Sequence, residues 1–311
     1  MPIFGVDVSR HQGSKLDWAK IRGSGIDFMF ARASLATTPD EHFKKNIQRA
    51  NDAGIPVLGA YHFLYPKSSV SPADQADLFL EQVKFPKGKL MMLDIERDKG
   101  GIKPRIDDVR AFVERFNQGA DGHPLLVYAP GWYWDIIGDP PASDIGRLVA
   151  SRYVRVDRKK VGKRRIRIRM TPTEAFNRIP KGFWVAKHGG WERATILQFT
   201  STGKVPGHRG KVDFNAFRGS VDQLAALALR PGGAGAPIIP GVDDQDATDG
   251  QPAEFHTVVK DETLIGIADD FGWERQGNVP AFRVMLNAFD ENEPFRANPK
   301  LIKVGQKVRV G

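Results

Sequence analysis

The stretch KLMMLDIERD, Lys89 to Asp98, decides the fold. Four apolar residues run directly into two carboxylates, Asp94 and Glu96, which stand two residues apart. Residues two apart in a strand point to the same side, so both carboxylates are expected on one face at the carboxyl end of a buried strand. Burying a carboxylate costs free energy unless the charge is paired. The stretch therefore predicts a core strand and, at its end, a site that needs acids.

Similar apolar runs recur along the chain and are typical of strands covered on both faces. They occupy residues 3–8, 26–33, 55–64, 89–96, 124–129, 147–154, 194–201 and 211–217. Helical patterns lie between the early runs, at residues 40–54, 71–83 and 105–119. Such alternation predicts an α/β fold with a parallel sheet, either closed as a barrel or open and doubly wound. The turn FGVDVSRHQG lacks a glycine-rich phosphate loop, so a (β/α) TIM-like barrel is favoured over a dinucleotide-binding sheet.

Composition divides the chain into three parts. Residues 1–230 are expected to form the barrel, and residues 231–253, rich in Pro, Gly and Asp, a flexible linker. Residues 254–311 are expected to form a small α+β module. There, FHTVVKDETLIGIADDFGW suggests a strand, a turn and a helix with Asp261 as its N-cap, and LIKVGQKVRV suggests a last strand.

Charge and cysteine content limit the classes of function. The chain has no cysteine, which excludes a disulfide scaffold and thiolate chemistry. Residues 1–230 carry a net charge of +14, and nine bases with one acid lie between Arg155 and Arg169. A charge of this size favours encounter with polyanions such as anionic wall polymers, and the alternative is that it serves solubility. The alternation of Ile166 and Ile168 with arginines suits a solvated edge strand or hairpin.

Two further acids are expected near the pair at Asp94. Asp7 ends the first predicted strand and Asp213 lies in a late one, so closure of the barrel would bring all four acids together. Two carboxylates about 5 Å apart repel by roughly 3 kcal/mol at an effective dielectric near 20, which holds a proton on one of them about two pKa units above its ordinary value. Glycoside hydrolysis needs a protonated acid beside ionised neighbours. The alternatives are acids that merely cap loops, and a divalent-metal site such as that of a nuclease.

Five segments resemble glycoside hydrolase family 25, the N-acetylmuramidase lysozymes found among phage endolysins and bacterial autolysins. In order, they are FGVDVSRHQGSKLDWAKIRGSGIDFMFARAS, GAYHFLYP, LMMLDIE, LLVYAPGWYW and LQFTSTGKVPGHRGKVDFNAF. The resemblance implies an irregular (β/α) TIM-like barrel. It also implies cleavage of the β-1,4 bond between N-acetylmuramic acid and N-acetylglucosamine in peptidoglycan, without a cofactor or metal. It implies Glu96 as general acid, Asp94 as its partner, and Asp7 and Asp213 as the other acids of the site. It also implies substrate contacts, made by Tyr61, Phe63, Tyr128, Tyr153 and Gln198.

The end of the chain resembles a LysM module, a βααβ unit that binds peptidoglycan. The resemblance implies a sugar groove between the first strand–helix loop and the loop before the last strand, formed by Asp261, Thr263, Leu264, Asn298 and Leu301. Tethering such a binder to the barrel would raise its effective concentration at the wall. The alternative is a module that is only structural.

Taken together, the sequence predicts a muramidase with a wall-binding module, acting on bacterial peptidoglycan. The N-terminus lacks the pattern of a signal peptide, and no apolar run reaches the roughly 18 residues of a membrane span. We therefore expect a phage endolysin, held in the host cytoplasm until its release to the wall, with neither nucleic-acid binding nor membrane insertion. The alternative setting is that of an autolysin exported by a non-classical route. The rivals are a catalytically inactive wall-binding protein and, less favoured, a metal-dependent nuclease.

Overall fold

The computed structural model describes residues 2–66, 70–84, 88–97, 101, 103–154, 156, 158–161, 164–228, 255–259, 262–270, 273, 280–288, 292–297, 299 and 302–310. The strands are β1 (Ile3–Val8), β2 (Ile26–Leu35), β3 (Thr38–Pro39), β4 (Val57–Phe63), β5 (Leu90–Asp94), β6 (Leu125–Tyr128), β7 (Arg147–Ser151), β8 (Arg158–Val161), β9 (Arg164–Arg167), β10 (Val185–His188), β11 (Trp191–Arg193), β12 (Ile196–Gly203), β13 (Val212–Phe217), β14 (Phe255–Thr257) and β15 (Lys307–Arg309). The α-helices are α1 (Trp18–Arg22), α2 (Phe43–Asp52), α3 (Pro72–Val83), α4 (Ile106–Gly119), α5 (Gly131–Ile136), α6 (Pro172–Phe176), α7 (Val221–Ala226), α8 (Leu264–Asp270), α9 (Ala281–Ala288) and α10 (Glu293–Ala297).

Eight of these strands close into one barrel-like sheet, which confirms the barrel over the open sheet. The order around it is β1, β2, β4, β5, β6, β7, β12 and β13, and β1 closes it by pairing with both β2 and β13. Neighbouring strands are parallel except at β13, which runs antiparallel to β1 and to β12. The carboxyl ends of seven strands, together with the start of β13, therefore meet at one end of the barrel.

Two aromatic rings fill the interior of the barrel, and each packs against a glycine of a neighbouring strand. A Cβ atom at Gly5 would lie 2.3 Å from the ring of Phe28, and one at Gly59 would lie 2.4 Å from the ring of Phe30. Both rings are fully buried. Only glycine leaves room for them, so these four residues form a closed floor beneath the carboxyl end.

Helices cover the outside of the sheet, as the helical patterns predicted. The N-cap of α3 is Ser71, which accepts a hydrogen bond from the backbone N–H of Asp74, and Pro72 begins the helix. The rings of α3 and α4 pack on His62 of β4, whose imidazole lies between Ser34 and Gln75 at 2.8 and 3.1 Å. Burial lowers the pKa of His62 to about 4, so this histidine is a neutral core residue.

The basic segment forms the predicted hairpin. Strands β8 and β9 pair antiparallel, and their register sets Arg158 opposite Arg167 and Lys160 opposite Arg165. The hairpin leaves the barrel just after β7. Val156, whose side chain is 2% exposed, donates its backbone N–H to Thr202 at 3.4 Å and so anchors the base of the hairpin.

The C-terminal segment, residues 255–310, differs from the βααβ expectation. Strands β14 and β15 pair antiparallel, but the described residues between them contain three helices rather than two. Helix α8 begins at Leu264 with Thr263 at the N-cap position, where its hydroxyl accepts from the N–H of Gly266 at 3.1 Å. Asp261, the predicted N-cap, lies outside the described residues, as does the predicted linker at 231–253.

This segment also contacts the barrel, which the sequence did not indicate. The backbone of Trp273 forms an antiparallel bridge with Val154, and its ring lies 4.9 Å from that of Phe183.

Among the described helices, none has both the length and the apolar composition required to cross a membrane.

Candidate active site

The four predicted acids lie at the carboxyl end of the barrel strands. Asp7 in β1 is paired directly with Asp213 in β13, and Asp94 is the last residue of β5. Glu96 stands two residues beyond that strand, which ends earlier than the predicted residue 96. Closure of the sheet through β1 and β13 brings Asp7 and Asp213 to the end where β5 places the other two acids.

The four side chains differ in exposure. Asp7 and Asp94 are buried, at 6% and 9% exposed, whereas Glu96 and Asp213 are partly exposed. The cluster therefore has two inner acids and two outer acids that a ligand can reach.

A hydrogen-bond network holds the innermost acid. Asp7 accepts from the amide of Gln198 at 2.5 Å and from the amide of Asn215 at 2.7 Å. The carbonyl oxygen of Gln198 in turn accepts from the hydroxyls of Tyr128, at 3.1 Å, and Tyr153. Gln198 thus connects two of the predicted aromatics to Asp7. Its carbonyl oxygen accepts from the two tyrosine hydroxyls, and its NH2 group donates to Asp7.

Asp94 lies in a different environment. The positive charge of Arg32 acts on it, and Arg32 is itself held by a buried ion pair with Asp40 at 2.9 Å. Within the described part of the chain, Asp94 Oδ1 is buried and has no hydrogen-bond partner. An acceptor left unpaired in this way is costly as a carboxylate and suits a protonated acid or a bound ligand.

Burial and mutual repulsion raise the pKa of every acid in the cluster. Burial, followed by the charge of Asp213, raises the pKa of Asp7 to about 8 and that of Glu96 to about 7. Burial alone raises the pKa of Asp213 to about 7. Burial, followed by Glu96 and Asp7, raises the pKa of Asp94 well above its ordinary range, against the opposing effect of Arg32. At neutral pH the four groups therefore share protons as a unit.

The predicted aromatics surround the acids at the same end of the barrel. Tyr61 and Phe63 of β4 are partly exposed, and Phe63 is paired with Asp94 across the sheet. Tyr128 of β6 is also paired with Asp94 and is almost fully buried. Tyr153 follows β7 and is partly exposed, and its hydroxyl oxygen lies 3.2 Å from that of Tyr128. We call this end of the barrel, where the acids and the aromatic side chains lie together, the cleft.

Sequence reasoning missed two residues of this site. Asn215 stands two residues after Asp213, so the alternation that linked Asp94 to Glu96 could have placed it on the same face. Arg32 lies in β2 opposite Tyr61. Strand alternation could have placed Arg32 on the side of the sheet that faces the site. Its buried partner Asp40 lies beyond the strand, where alternation predicts nothing.

The wall-binding residues predicted near the end of the chain are only partly described. Asp261, Asn298 and Leu301 lie outside the described residues. Thr263 caps α8, and Leu264 is 4% exposed and packs in the core of the segment. The side chain of Leu264 therefore does not face a ligand in this conformation.

No three side chains of the His, Cys, Asp and Glu types approach one another in the geometry of a metal site, as far as the described ranges extend. The site combines carboxyl groups of raised pKa, a side-chain amide that links Asp7 to two tyrosines, and aromatic surfaces. These features suit acid catalysis on a sugar.

Comparisons with known proteins place the barrel in a family. The model of glycosyl hydrolases family 25 matches residues 6–208, about two-thirds of the chain. Lysozyme M1 of Streptomyces globisporus is 27% identical over 247 residues, which cover 73% of this chain and 71% of that protein. A bacterial lysozyme of Streptomyces coelicolor has a similar structure, with a TM-score of 0.57, 25% identity, and coverage of 73% of this chain and 96% of that one. A muramidase of Trichobolus zukalii gives a TM-score of 0.54, 26% identity, and coverage of 73% and 98%.

Proposed function

The chain belongs to glycosyl hydrolases family 25, and we propose that it is a muramidase that hydrolyses the glycan strands of peptidoglycan. The bond proposed is the β-1,4 link between N-acetylmuramic acid and N-acetylglucosamine. The observation that carries the proposal is the partly exposed Glu96, whose pKa of about 7 keeps a large fraction of its carboxyl protonated near neutral pH.

In this proposal Glu96 acts as the general acid. Its proton passes to the glycosidic oxygen as the bond from that oxygen to the sugar C1 breaks, which leaves positive charge on the ring. An ionised neighbour, Asp213 in the first place, stabilises this charge because it is the other acid open to the cleft. Water then supplies a hydroxyl to C1 and returns a proton to Glu96, so the acid is regenerated. Burial of Glu96 and the negative charge of Asp213 hold this proton on Glu96 before the bond breaks.

The experiment is clearing of purified cell walls by the wild type and by Glu96→Gln, each with and without EDTA. We expect clearing by the wild type alone and no effect of EDTA. Reduction of the products with borohydride should yield the alditol of muramic acid, because a muramidase exposes that sugar as the new reducing end. The alditol of glucosamine would identify a different bond. Clearing that EDTA abolishes would favour metal chemistry, and wall binding without clearing would favour the binding-protein alternative.

The C-terminal segment is proposed to bind the wall. Among the described residues of the segment, three large apolar side chains are more than half exposed, Val259, Ile265 and Val304, at 54%, 65% and 66%. They flank the loop between β14 and α8 and the loop before β15, which are joined by a hydrogen bond from Gly305 N–H to Val258 O at 2.8 Å. Adjacent exposed apolar residues on connected loops mark a binding surface more often than scattered ones do.

The test is retention on walls of the double variant Ile265→Ser and Val304→Ser, in the full chain. We expect retention to fall about tenfold while hydrolysis of soluble glycan stays unchanged. Val185→Ser, at an apolar position of the barrel that is 40% exposed, is the matched control. Unchanged retention in the double variant would leave the segment without a wall-binding role.

The basic hairpin is proposed to bind anionic polymers of the same wall. Its register places like charges opposite each other at Arg158 with Arg167 and at Lys160 with Arg165, an arrangement that is unfavourable without a counter-charge. Changing Lys160 and Arg165 to Gln should weaken wall binding and flatten its salt dependence. The same loss of charge at Lys44 and Lys45, exposed on α2, should not. Equal effects of the two variants would assign the binding to net charge alone.

The setting in which the enzyme acts remains a prediction. Release from a host cytoplasm as a phage endolysin would be tested by expressing the chain inside bacteria with and without a pore-forming partner. Lysis only with the partner would support it, and lysis without the partner would contradict it.

A further inference from the structure

We infer that the C-terminal segment is seated on the barrel through Trp273, and that this contact makes Trp273 a positioning residue for Tyr153 in the active site. The inference rests on the proposed function for its activity measurements. The seating of the segment on the barrel rests on its contacts alone.

Trp273 joins the two parts of the chain. On the side of the C-terminal segment, its indole N–H donates to the carbonyl of Val310 at 3.2 Å, and its backbone N–H donates to Ala268 at 2.8 Å. On the barrel side, its ring packs on Phe183 with centroids 4.9 Å apart, and its backbone bridges Val154. The side chain is only 1% exposed. A tryptophan held on both sides in this way fixes the segment against the barrel, because separating them would expose a large apolar surface to water.

The barrel side of this contact leads directly to the cleft. Val154 is the residue after Tyr153, and it is 2% exposed. Its backbone N–H donates to Phe199 at 2.9 Å, and that of Arg152 donates to Gln198 at 3.0 Å, so residues 152–154 continue alongside β12 after β7 has ended. Trp273 therefore braces an irregular stretch that has no further strand on its other side among the described residues.

The same stretch carries the hydroxyl that reaches the acids. Tyr153 bonds to the carbonyl of Gln198, and the amide of Gln198 bonds to Asp7. A shift of the backbone at Val154 would move the Tyr153 hydroxyl and would loosen the orientation of Gln198. Loss of the Trp273 contact should therefore be felt at the acids through Tyr153, although Trp273 itself touches neither substrate nor acid.

Phe183 and Arg152 strengthen the barrel face that receives Trp273. Phe183 is fully buried, and the guanidinium of Arg152 lies 6.0 Å from its ring centroid. Arg152 also donates to the carbonyl of Gly182 at 3.0 Å. The surface beneath Trp273 is thus built from residues on both sides of the basic hairpin, which ties residues 152–154 to residues 182–183.

The structural test is hydrogen exchange of the full-length chain, comparing wild type, Trp273→Ala and Trp273→Phe. Peptides that cover residues 147–156 should lose protection in Trp273→Ala and keep it in Trp273→Phe, since phenylalanine retains a ring against Phe183. Phe295→Ala, at another buried aromatic of the C-terminal segment, controls for general loosening of that segment. Unchanged protection of residues 147–156 in Trp273→Ala would overturn the seating, whether or not the chain hydrolyses peptidoglycan.

The functional test is a double-mutant cycle on a soluble glycan oligomer that occupies only the cleft. Trp273→Ala should lower kcat about tenfold in the wild-type background, and less than about twofold when Tyr153→Phe has already removed the hydroxyl. Trp273→Phe should restore most of the rate. Equal losses in both backgrounds would show that Trp273 does not act through Tyr153. A loss confined to KM on whole walls would assign Trp273 to wall binding. An inactive wild type with intact protection would defeat the proposed function and leave the seating in place.

Discussion

The barrel buries charged side chains, whereas the C-terminal segment exposes apolar ones. The barrel buries Asp7, Asp94 and Arg32 at the open end of apolar strands, at 6–9% exposed. The segment leaves Val259, Ile265 and Val304 more than half exposed. Each arrangement costs free energy, since ionised groups lose hydration on burial and apolar groups order water when exposed.

This difference suits the two parts to different tasks, the barrel to bond cleavage and the segment to attachment. Buried acids acquire raised pKa values and so can hold a proton that solvent-exposed acids would lose, which serves bond cleavage. Exposed apolar side chains can pack on the faces of sugar rings, which serves binding to a neutral polymer. Substitutions in the barrel cleft should therefore change rates, and those on the segment surface should change retention.

The largest effect is expected at Glu96. Glu96→Gln keeps the shape of the side chain but cannot donate the proton, so the rate of glycan hydrolysis should fall about 10³-fold, or about 4 kcal/mol in the barrier. Release of reducing ends from soluble glycan measures it. Glu41→Gln, at an acid whose side chain is 72% exposed, should be indistinguishable from the wild type. A rate within about tenfold of the wild type would show that another group supplies the proton.

The next effect concerns the floor beneath the acids. An added methyl at Gly5 would lie 2.3 Å from the ring of Phe28, which is enclosed by the sheet and cannot withdraw. Gly5→Ala should therefore destabilise the fold by about 2–3 kcal/mol, as overpacking of a core does. Urea unfolding provides the measurement. Gly23→Ala adds the same methyl where the nearest atom lies 3.4 Å away and φ is −64°, so it should be nearly neutral.

The barrel and its acids could be predicted because one physical rule served both. Apolar runs of strand length set the sheet, and an acid at the end of such a run stands at the carboxyl end of that strand. Asp7 and Asp94 followed directly from this rule. Asp213 followed only on the assumption that the sheet closes, because its strand runs in the opposite direction and brings its start to the site.

The contacts between distant parts of the chain could not be predicted in this way. Arg32 is held by Asp40 and Gln198 by Asp7, partners whose proximity is set by the folded backbone rather than by local pattern. Trp273 stands in a segment whose apolar pattern predicts only a small module of strands and a helix. Nothing in its spacing indicates that Val154 and Phe183 of the barrel pack against it.

A smaller effect should appear in the pH dependence of stability. The pKa of Asp7 is about 8 in the folded protein against an ordinary 3.8, so the folded state binds more protons than the unfolded state between these values. Stability due to Asp7 is therefore greatest at low pH and falls as the pH rises through this range. Asp7→Asn removes this dependence.

Measured by urea unfolding, the stability of Asp7→Asn relative to the wild type should be about 2 kcal/mol more favourable at pH 8 than at pH 6. The difference between the two pH values isolates the titration, because the change in hydrogen bonds to Gln198 and Asn215 is common to both. The opposite contribution of His62 is present in both proteins and cancels. An equal effect at both pH values would mean that the carboxyl is not held protonated by its surroundings.

The smallest effect compares the same structural device in the two regions. Ser71 caps α3 on the barrel and Thr263 caps α8 in the C-terminal segment, each by accepting a backbone N–H. Ser71→Ala and Thr263→Ala should each cost about 1 kcal/mol. If Trp273 seats the segment on the barrel, the two parts unfold together and both substitutions shift one transition in calorimetry. If Thr263→Ala moves only a separate, earlier transition while Ser71→Ala moves the main one, the segment unfolds by itself. Its contact with Val154 would then be too weak to influence the acids through Tyr153.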